Sequence, residues 1–436
     1  MSSSVSVLIP SDSSRAAVAL QRARELAPVV AQVIVAGTCV DGAVDGIEVV
    51  EGDVSTGVGR LRTEYTVVLE PSASATRADI EALCAPIEAG QVDVVVPLGS
   101  PGPEDRALNA LARGVSGVQV RNPLAPIRAV RTEAIRSLQL SNGPGLAAEL
   151  VIKLAAQAFR FGEVSVEQVT WVRQASDWIA LARTLIKYAL FQNDADNTHA
   201  GYNTLIQMDQ APRYNAWLGR RLRPHLGRRV LEIGAGIGTI TREIAPGREL
   251  VVALEADGFY VQRLRNIFRG SDVVRAVHAP VEQTDWASLA GERLDTVMLS
   301  NVLEHIEDDA AAVRQFRSVL PIDGRLVILV PALMALYGDI DRAIGHFRRY
   351  SPETLRAVIE SNGFRLETLE WLNIVGIPGW FLNSRVLRRR SVPALQVRLY
   401  DRFSPLFAQL ESTLKLPIGM SLLAVARAVP VSGVER

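Results

Sequence analysis

The chain has 436 residues and carries 47 basic and 47 acidic side chains, so no net charge draws it to nucleic acid or an anionic membrane, and its length asks for more than one hydrophobic core. Cys39 and Cys84 are its only cysteines and have no metal-ligand spacing, which excludes a disulfide framework and a Cys-rich zinc site. The first residues lack a basic segment leading into an apolar core, and no uncharged apolar run reaches the roughly twenty residues of a membrane span, so a cytoplasmic chain is expected.

Short β-branched runs alternate with helical patterns from the start: "VSVLIPS", "RAAVALQRARELAPVV", "AQVIVAG", "YTVVLE", "TRADIEALCAPIEAG" and "VDVVVPLGS". That alternation predicts an α/β domain with a largely parallel sheet. Beyond about residue 150 the pattern turns helical, and the polar stretch "QNDADNTHAGYN" reads as a hinge. A second alternation follows the amphipathic segment "APRYNAWLGRRLRPHL", with strands expected at "RVLEIG", "LVVALEA", "VVRAVHA", "DTVMLSNV" and "GRLVILVPA". Strand, helix and strand at this rhythm build a doubly wound sheet.

In "LEIGAGIG", Gly234, Gly236 and Gly238 alternate at the mouth of a strand. Side chains there would keep a ligand off the backbone. The next strand ends in Glu255, about twenty residues on, where a carboxylate can accept both hydroxyls of a ribose. A nicotinamide dinucleotide site needs G-x-G-x-x-G, but Thr239 or Thr241 occupies the last position in the two possible registers.

From about residue 212 onward the chain resembles a class I S-adenosylmethionine-dependent methyltransferase. The resemblance implies that Glu232, Gly234, Ala235, Gly236 and Gly238 hold the methionine end of the cofactor, and that Glu255 and Ala256 hold the ribose. "LDTVMLSNVLEHIEDD" resembles the family's fourth strand and following loop, which implies that Asn301 and Leu303 lie beside the cofactor. The family's acidic residue after the third strand is replaced by Ala279, and Pro280 has no N–H. Adenine recognition is therefore expected at Val281 or Glu282.

Methyl transfer is an in-line displacement, so the enzyme aligns two reactants and takes a proton from the acceptor. Of five histidines, His305 and His346 fall where an acceptor is expected. Glu304 and His305 resemble part of a divalent-metal site in ubiquinone-pathway O-methyltransferases, but Asn301 stands where that motif has another acid, and no metal is expected. "DIDRAIGHFRRYS" resembles a pattern in many relatives of this methyltransferase type. Its reading is His346 as general base, oriented by Asp341, with Arg348, Arg349 and Tyr350 on the acceptor side. A purely structural role, pinning the loop to the sheet, stands beside that reading.

The first segments resemble inverting nucleotide-sugar glycosyltransferases that load polyprenyl phosphates. The Asp-x-Asp that would hold metal and diphosphate there is missing: "VVLEPSAS" has only Glu70, and "IVAGTCVDG" has Ala36 and Gly37. Near the other end, "WLNIVGIPGWFLNSRVLRRR" pairs an apolar segment with Arg385, Arg388, Arg389 and Arg390. Such a segment either lies on a membrane or grips a lipid phosphate, or else packs as an acceptor lid.

The expected architecture is α/β: residues 1–160 form a degenerate glycosyltransferase-like domain, 161–211 a helical linker, and 212–436 a Rossmann-like methyltransferase domain, mostly parallel with an antiparallel last strand. The expected activity is O-methylation of a small-molecule, glycan or lipid-linked acceptor, with S-adenosylmethionine as cofactor, no nucleic acid partner, and peripheral membrane contact as a further expectation. A non-catalytic cofactor-binding scaffold and a bifunctional glycosyltransferase-methyltransferase remain the alternatives. Oligomeric state does not follow from these residues.

Overall fold

The computed structural model describes residues 5–12, 14–37, 46–99, 102–136, 138, 140–141, 143–167, 169–171, 173–190, 202–389, 394–414 and 417–430. Cys39, Arg390 and most of the expected hinge lie outside the described residues. The chain divides into two compact units, Met1–Ala195 and Asp196–Arg436, a division that falls inside the hinge stretch.

The first unit is built on a seven-stranded sheet: β1 (Val5–Ser11), β2 (Gln32–Gly37), β3 (Glu48–Glu51), β4 (Tyr65–Leu69), β6 (Val94–Pro97), β7 (Ile127–Arg131) and β8 (Phe161–Val164). A separate two-stranded ribbon pairs β5 (Ala73–Ser74) with β9 (Thr170–Trp171). The main order is β3-β2-β1-β4-β7-β6-β8, with β7 antiparallel to both its neighbours. Continuous apolar runs such as Val7, Leu8 and Ile9 are fully buried, as expected for strands covered by helices on both faces.

Residues 161–190 belong to this unit and do not form a linker. Strand β8 pairs in parallel with β6, and the helix Ala175–Leu190 buries Leu181, Leu185 and Tyr188 against Ala112, Leu124, Ala147, Ala148 and Ile152. The amphipathic pattern read as a connection is a core-facing stripe.

The second unit holds β10 (Arg229–Ile233), β11 (Leu250–Glu255), β12 (Val274–His278), β13 (Thr296–Ser300), β14 (Arg325–Pro331), β15 (Phe364–Leu372) and β16 (Ser421–Ala428) in the order β12-β11-β10-β13-β14-β16-β15. The last strand, β16, runs antiparallel between β14 and β15; the remaining pairs of the sheet are parallel. Strand order reverses between β10 and β13, so their carboxyl ends open the crevice where ligands bind in doubly wound sheets. The helix Tyr202–Asp209, also counted as linker by sequence, lies in this unit and lends Leu205 and Met208 to a cavity wall.

Candidate active site

A cavity of about 800 Å³ opens at that crevice, within the size range of small-molecule sites. Its floor is the turn after β10. Gly234, Gly236 and Gly238 have φ of 66, 54 and 82°, the left-handed region that favours glycine. A Cβ on Gly234 would meet Val302 Cγ2 at 2.5 Å, so here the missing side chain is needed for packing as well as for conformation. At Gly236 the nearest atoms to such a Cβ belong to Leu205 at 3.5 Å, and the bare backbone faces the cavity.

Glu255 closes the turn from the neighbouring strand. Its Oε2 accepts from Gly236 N–H at 2.8 Å and its Oε1 from Asp257 N–H at 3.0 Å. Burial raises its pKa against the opposing pull of those bonds. Glu232 also faces the cavity, and its buried Oε2 has no hydrogen-bond partner. Burial pushes its carboxyl up to about 8. The third-strand end supplies Ala279, Pro280, Val281 and Glu282 to the wall, and Asn301, at φ 54°, stands beyond β13.

Two histidines, His305 and His346, line the same cavity. His346 Nδ1 lies 3.1 Å from Asp341 Oδ1, and its Nε2 3.7 Å from Glu304 Oε1. Asp341 is fully buried. Burial opposes its charge, yet hydrogen bonds from His346, Arg349 Nε (2.7 Å) and Gly338 N–H (3.0 Å) hold the carboxyl below its ordinary value. Arg349 also donates to Ala332 O at 3.0 Å and stacks 4.8 Å from the centroid of Trp380. His305 packs edge-on against His346, centroids 4.5 Å apart. Its outer edge meets solvent, but the protein atoms around the ring, followed by His346, push its pKa down to about 4. Both carboxylate oxygens of Glu304 are buried without a hydrogen-bond partner, and burial pushes that group up to about 8.

The structure thus brings Glu232, Gly234, Ala235, Gly236, Glu255, Ala256, Val281, Asn301, His305, His346 and Arg349 to one cavity. Other expected residues lie behind the wall. Leu303 is wholly buried in the core and does not line the cavity, and Gly238 precedes the helix Thr239–Ile244. Arg348 reaches away to Asp309 (2.7 Å) and Glu307 O (2.7 Å). Tyr350 is buried, and its hydroxyl donates to Asp309 Oδ2 at 2.7 Å. Arg348 and Tyr350 are thus both held by Asp309, while Arg349 faces the cavity. Among the described residues, Glu304, His305 and His346 could bring three ligand atoms within 4.8 Å of one another, a grouping able to hold a metal ion.

Sequence reading missed the rest of the wall, including Leu205, Tyr214, Asn373, Trp380 and Tyr400. Asn373, at φ 63°, is the one with a structural signature. Its Oδ1 accepts from Tyr400 Oη at 2.7 Å and Gly376 N–H at 2.9 Å, while Glu411 accepts the N–H groups of Asn373 and Ile374 at 3.0 and 2.8 Å. The helix Ala394–Leu414 is thereby tied to the end of β15.

The model of the methyltransferase domain family matches residues 206–369, the span from the helix below the cavity to β15. The C-terminal half of the chain therefore contains a methyltransferase domain. S-adenosylmethionine is the cofactor of that domain, and the residues fit it: bare backbone at Gly236, an unpartnered buried carboxylate oxygen on Glu232 for a cationic ligand, and Glu255 at the second strand end. Among similar proteins is ribosomal RNA small subunit methyltransferase A of Dehalococcoides mccartyi, 24% identical over 140 residues, 31% of this chain and 47% of that protein. Its Treponema pallidum namesake is 33% identical over 102 residues, 23% of this chain and 33% of that protein. The chain thus spans about half the length, or less, of the curated relatives it matches. An S-adenosylmethionine-dependent methyltransferase from Mesorhizobium loti aligns over 48% of this chain and 95% of its own, with a TM-score of 0.33 and 17% identity.

Proposed function

We propose that this protein transfers a methyl group to a hydroxyl of a small acceptor of the glycan, glycolipid or natural-product class. The observation that carries the proposal is His346, paired with buried Asp341, in the wall of the cavity that Glu232 and Glu255 also line. When bound, S-adenosylmethionine supplies a methyl on a sulfonium. Asp341, accepting at Nδ1, sets the His346 tautomer that leaves Nε2 with a lone pair, and Nε2 takes the proton an acceptor hydroxyl loses. Arg349, braced by Asp341 and Trp380, offers positive charge to an anionic part of that acceptor.

A metal at the Glu304–His305–His346 grouping would occupy the lone pair a base needs, so the two roles exclude each other. Radiolabelled methyl transfer to a panel of sugar and lipid hydroxyls, compared between wild type and His346→Ala, tests the reading. Loss of transfer with retained S-adenosylhomocysteine binding is expected; unchanged transfer at saturating cofactor would remove His346 from the mechanism. The names of the relatives supply a second reading, ribosomal RNA as acceptor. Label recovered in ribosomal RNA and in no small hydroxyl would put that reading first.

The first unit is, on the same proposal, a glycosyltransferase-like module kept as a scaffold or acceptor-binding surface. Glu70 at the end of β4 and Gly37 at the end of β2 stand where paired aspartates would be needed. Turnover of any nucleotide-sugar by the full chain would overturn that part.

A further inference from the structure

The helix Ala394–Leu414 has two apolar faces where a globular helix needs one. Inward, Val397 is buried and Tyr400 and Ala408 pack against the same core cluster, with buried Asp401 and Ser404 alongside. On the outer side, Leu399, Phe403, Leu406 and Leu410 follow one another at the four-, three- and four-residue steps of a single helical stripe. Their exposures are 51, 48, 62 and 46%. Large apolar residues scattered singly over a surface need no explanation, but four in one line do. The preceding turn adds Phe381, Leu382, Val386 and Leu387, all roughly half exposed, and is joined to this helix by Asn383 Nδ2 donating to Gln396 Oε1 at 2.7 Å.

The charge around the stripe is one-sided. Between Trp371 and Met420 the chain has seven basic residues and two acidic ones. Both acids point inward and are occupied. Asp401 Oδ1 accepts from the N–H groups of Arg213 and Tyr214 at 2.8 and 2.9 Å, and Glu411 accepts from Asn373 and Ile374. Arg385, Arg388, Arg398 and Arg402 are left exposed on the outside, so this face is positive although the whole chain is neutral. The stripe also runs into the cavity, because Leu399 and Phe403 form part of its wall.

We propose that this face docks on an anionic lipid bilayer. The stripe sinks to the boundary of headgroups and acyl chains and the arginines meet lipid phosphates. No helix among the described residues is long and apolar enough to cross a membrane, which leaves a surface-bound geometry. With the cavity wall continuous with the docked face, the acceptor is one whose hydroxyl head enters the site while its apolar chain stays in the lipid; this clause alone rests on the methyl-transfer reading. A second copy of the chain fits less well, since pairing stripe to stripe brings two sets of arginines together.

The test is co-sedimentation of the full chain with vesicles of phosphatidylcholine, with and without phosphatidylglycerol. Leu406→Glu/Leu410→Glu and Arg398→Gln/Arg402→Gln are run beside wild type, and calorimetric titration with S-adenosylhomocysteine reports that each variant is folded. Binding to anionic vesicles roughly tenfold above neutral ones is expected, lost in the leucine variant and weakened in the arginine variant, with S-adenosylhomocysteine affinity unchanged. A wild type that stays in the supernatant, or a leucine variant that binds as well as wild type, overturns the proposal. So does a wild-type dimer in sedimentation velocity that the leucine variant splits without any vesicle binding. Vesicle binding by a chain that takes up no S-adenosylhomocysteine upholds the docking face and counts against methyl transfer.

Discussion

Glu232 sits in the cavity wall with one oxygen unpartnered and its pKa raised by burial to about 8, so near neutral pH it holds a proton. A cation seated beside it favours the ionised form and expels that proton. Titration of S-adenosylmethionine at pH 7 in two buffers of different ionisation enthalpy should therefore show net proton release, absent in Glu232→Gln. Glu304, also raised to about 8, bears on stability. Its folded pKa lies above the unfolded value, so its contribution is whole below about pH 4.3 and is lost as pH rises towards 8. Glu304→Gln should flatten that decline, raising the unfolding midpoint relative to wild type at pH 8 but not at pH 4. At His346, replacement by Ala should lower the rate about 10²–10⁴-fold, and Asp341→Asn should also lower it, with S-adenosylhomocysteine affinity kept in both.

Between elements, the turn after β10 binds only if β10, β11 and the loop after β13 keep their distances. Gly236→Val imposes a β-branched side chain at φ 54° on backbone that faces the cavity. S-adenosylhomocysteine binding should be lost by calorimetry while far-UV circular dichroism stays near wild type. The helix Ala175–Leu190 makes a second test, because Leu185 is fully buried among Ala112, Leu124 and Ala147. Leu185→Ala should cost about 2–5 kcal/mol of stability in the first unit, measured by denaturant unfolding, whereas a true linker position would tolerate the change. Cys84, buried with its thiol pushed up to about 12, should resist alkylation until that unit unfolds.

Over the whole molecule, each unit has its own sheet and its own buried clusters. A ligand that binds only the native second unit stabilises it by about 2.7 kcal/mol at a hundred times its Kd. S-adenosylhomocysteine should therefore raise the melting transition of the second unit, while Leu185→Ala lowers that of the first. Strands β1, β2, β4, β6 and β10 to β14 were readable from the sequence because apolar β-branched runs of four to seven residues have few other uses, whereas β3, β7, β8, β15 and β16 were not singled out. The glycine turn and Glu255 were readable for a related reason: both are local, lying within one strand-turn-helix and its neighbour. The boundary near residue 160 was misplaced because an amphipathic pattern reports that a helix has a buried face and says nothing of which core receives it.

The roles of Arg348, Arg349 and Tyr350 show where sequence stops. Three adjacent polar residues look equivalent in order, yet Arg349 faces the cavity, Arg348 meets Asp309, and Tyr350 is sealed inside. Backbone direction and packing decide that. The same holds for Trp380 and Tyr400 in the cavity wall and for the exposed stripe at Leu399–Leu410, all from segments more than a hundred residues from the glycine turn. The sequence by itself determined the two α/β alternations and the glycine turn, because strand burial and bare backbone are written in neighbouring residues. Tertiary structure alone decided which polar side chains reach the cavity, which carboxylates are stranded without partners, and which apolar face is left over, because each depends on what distant segments bury first.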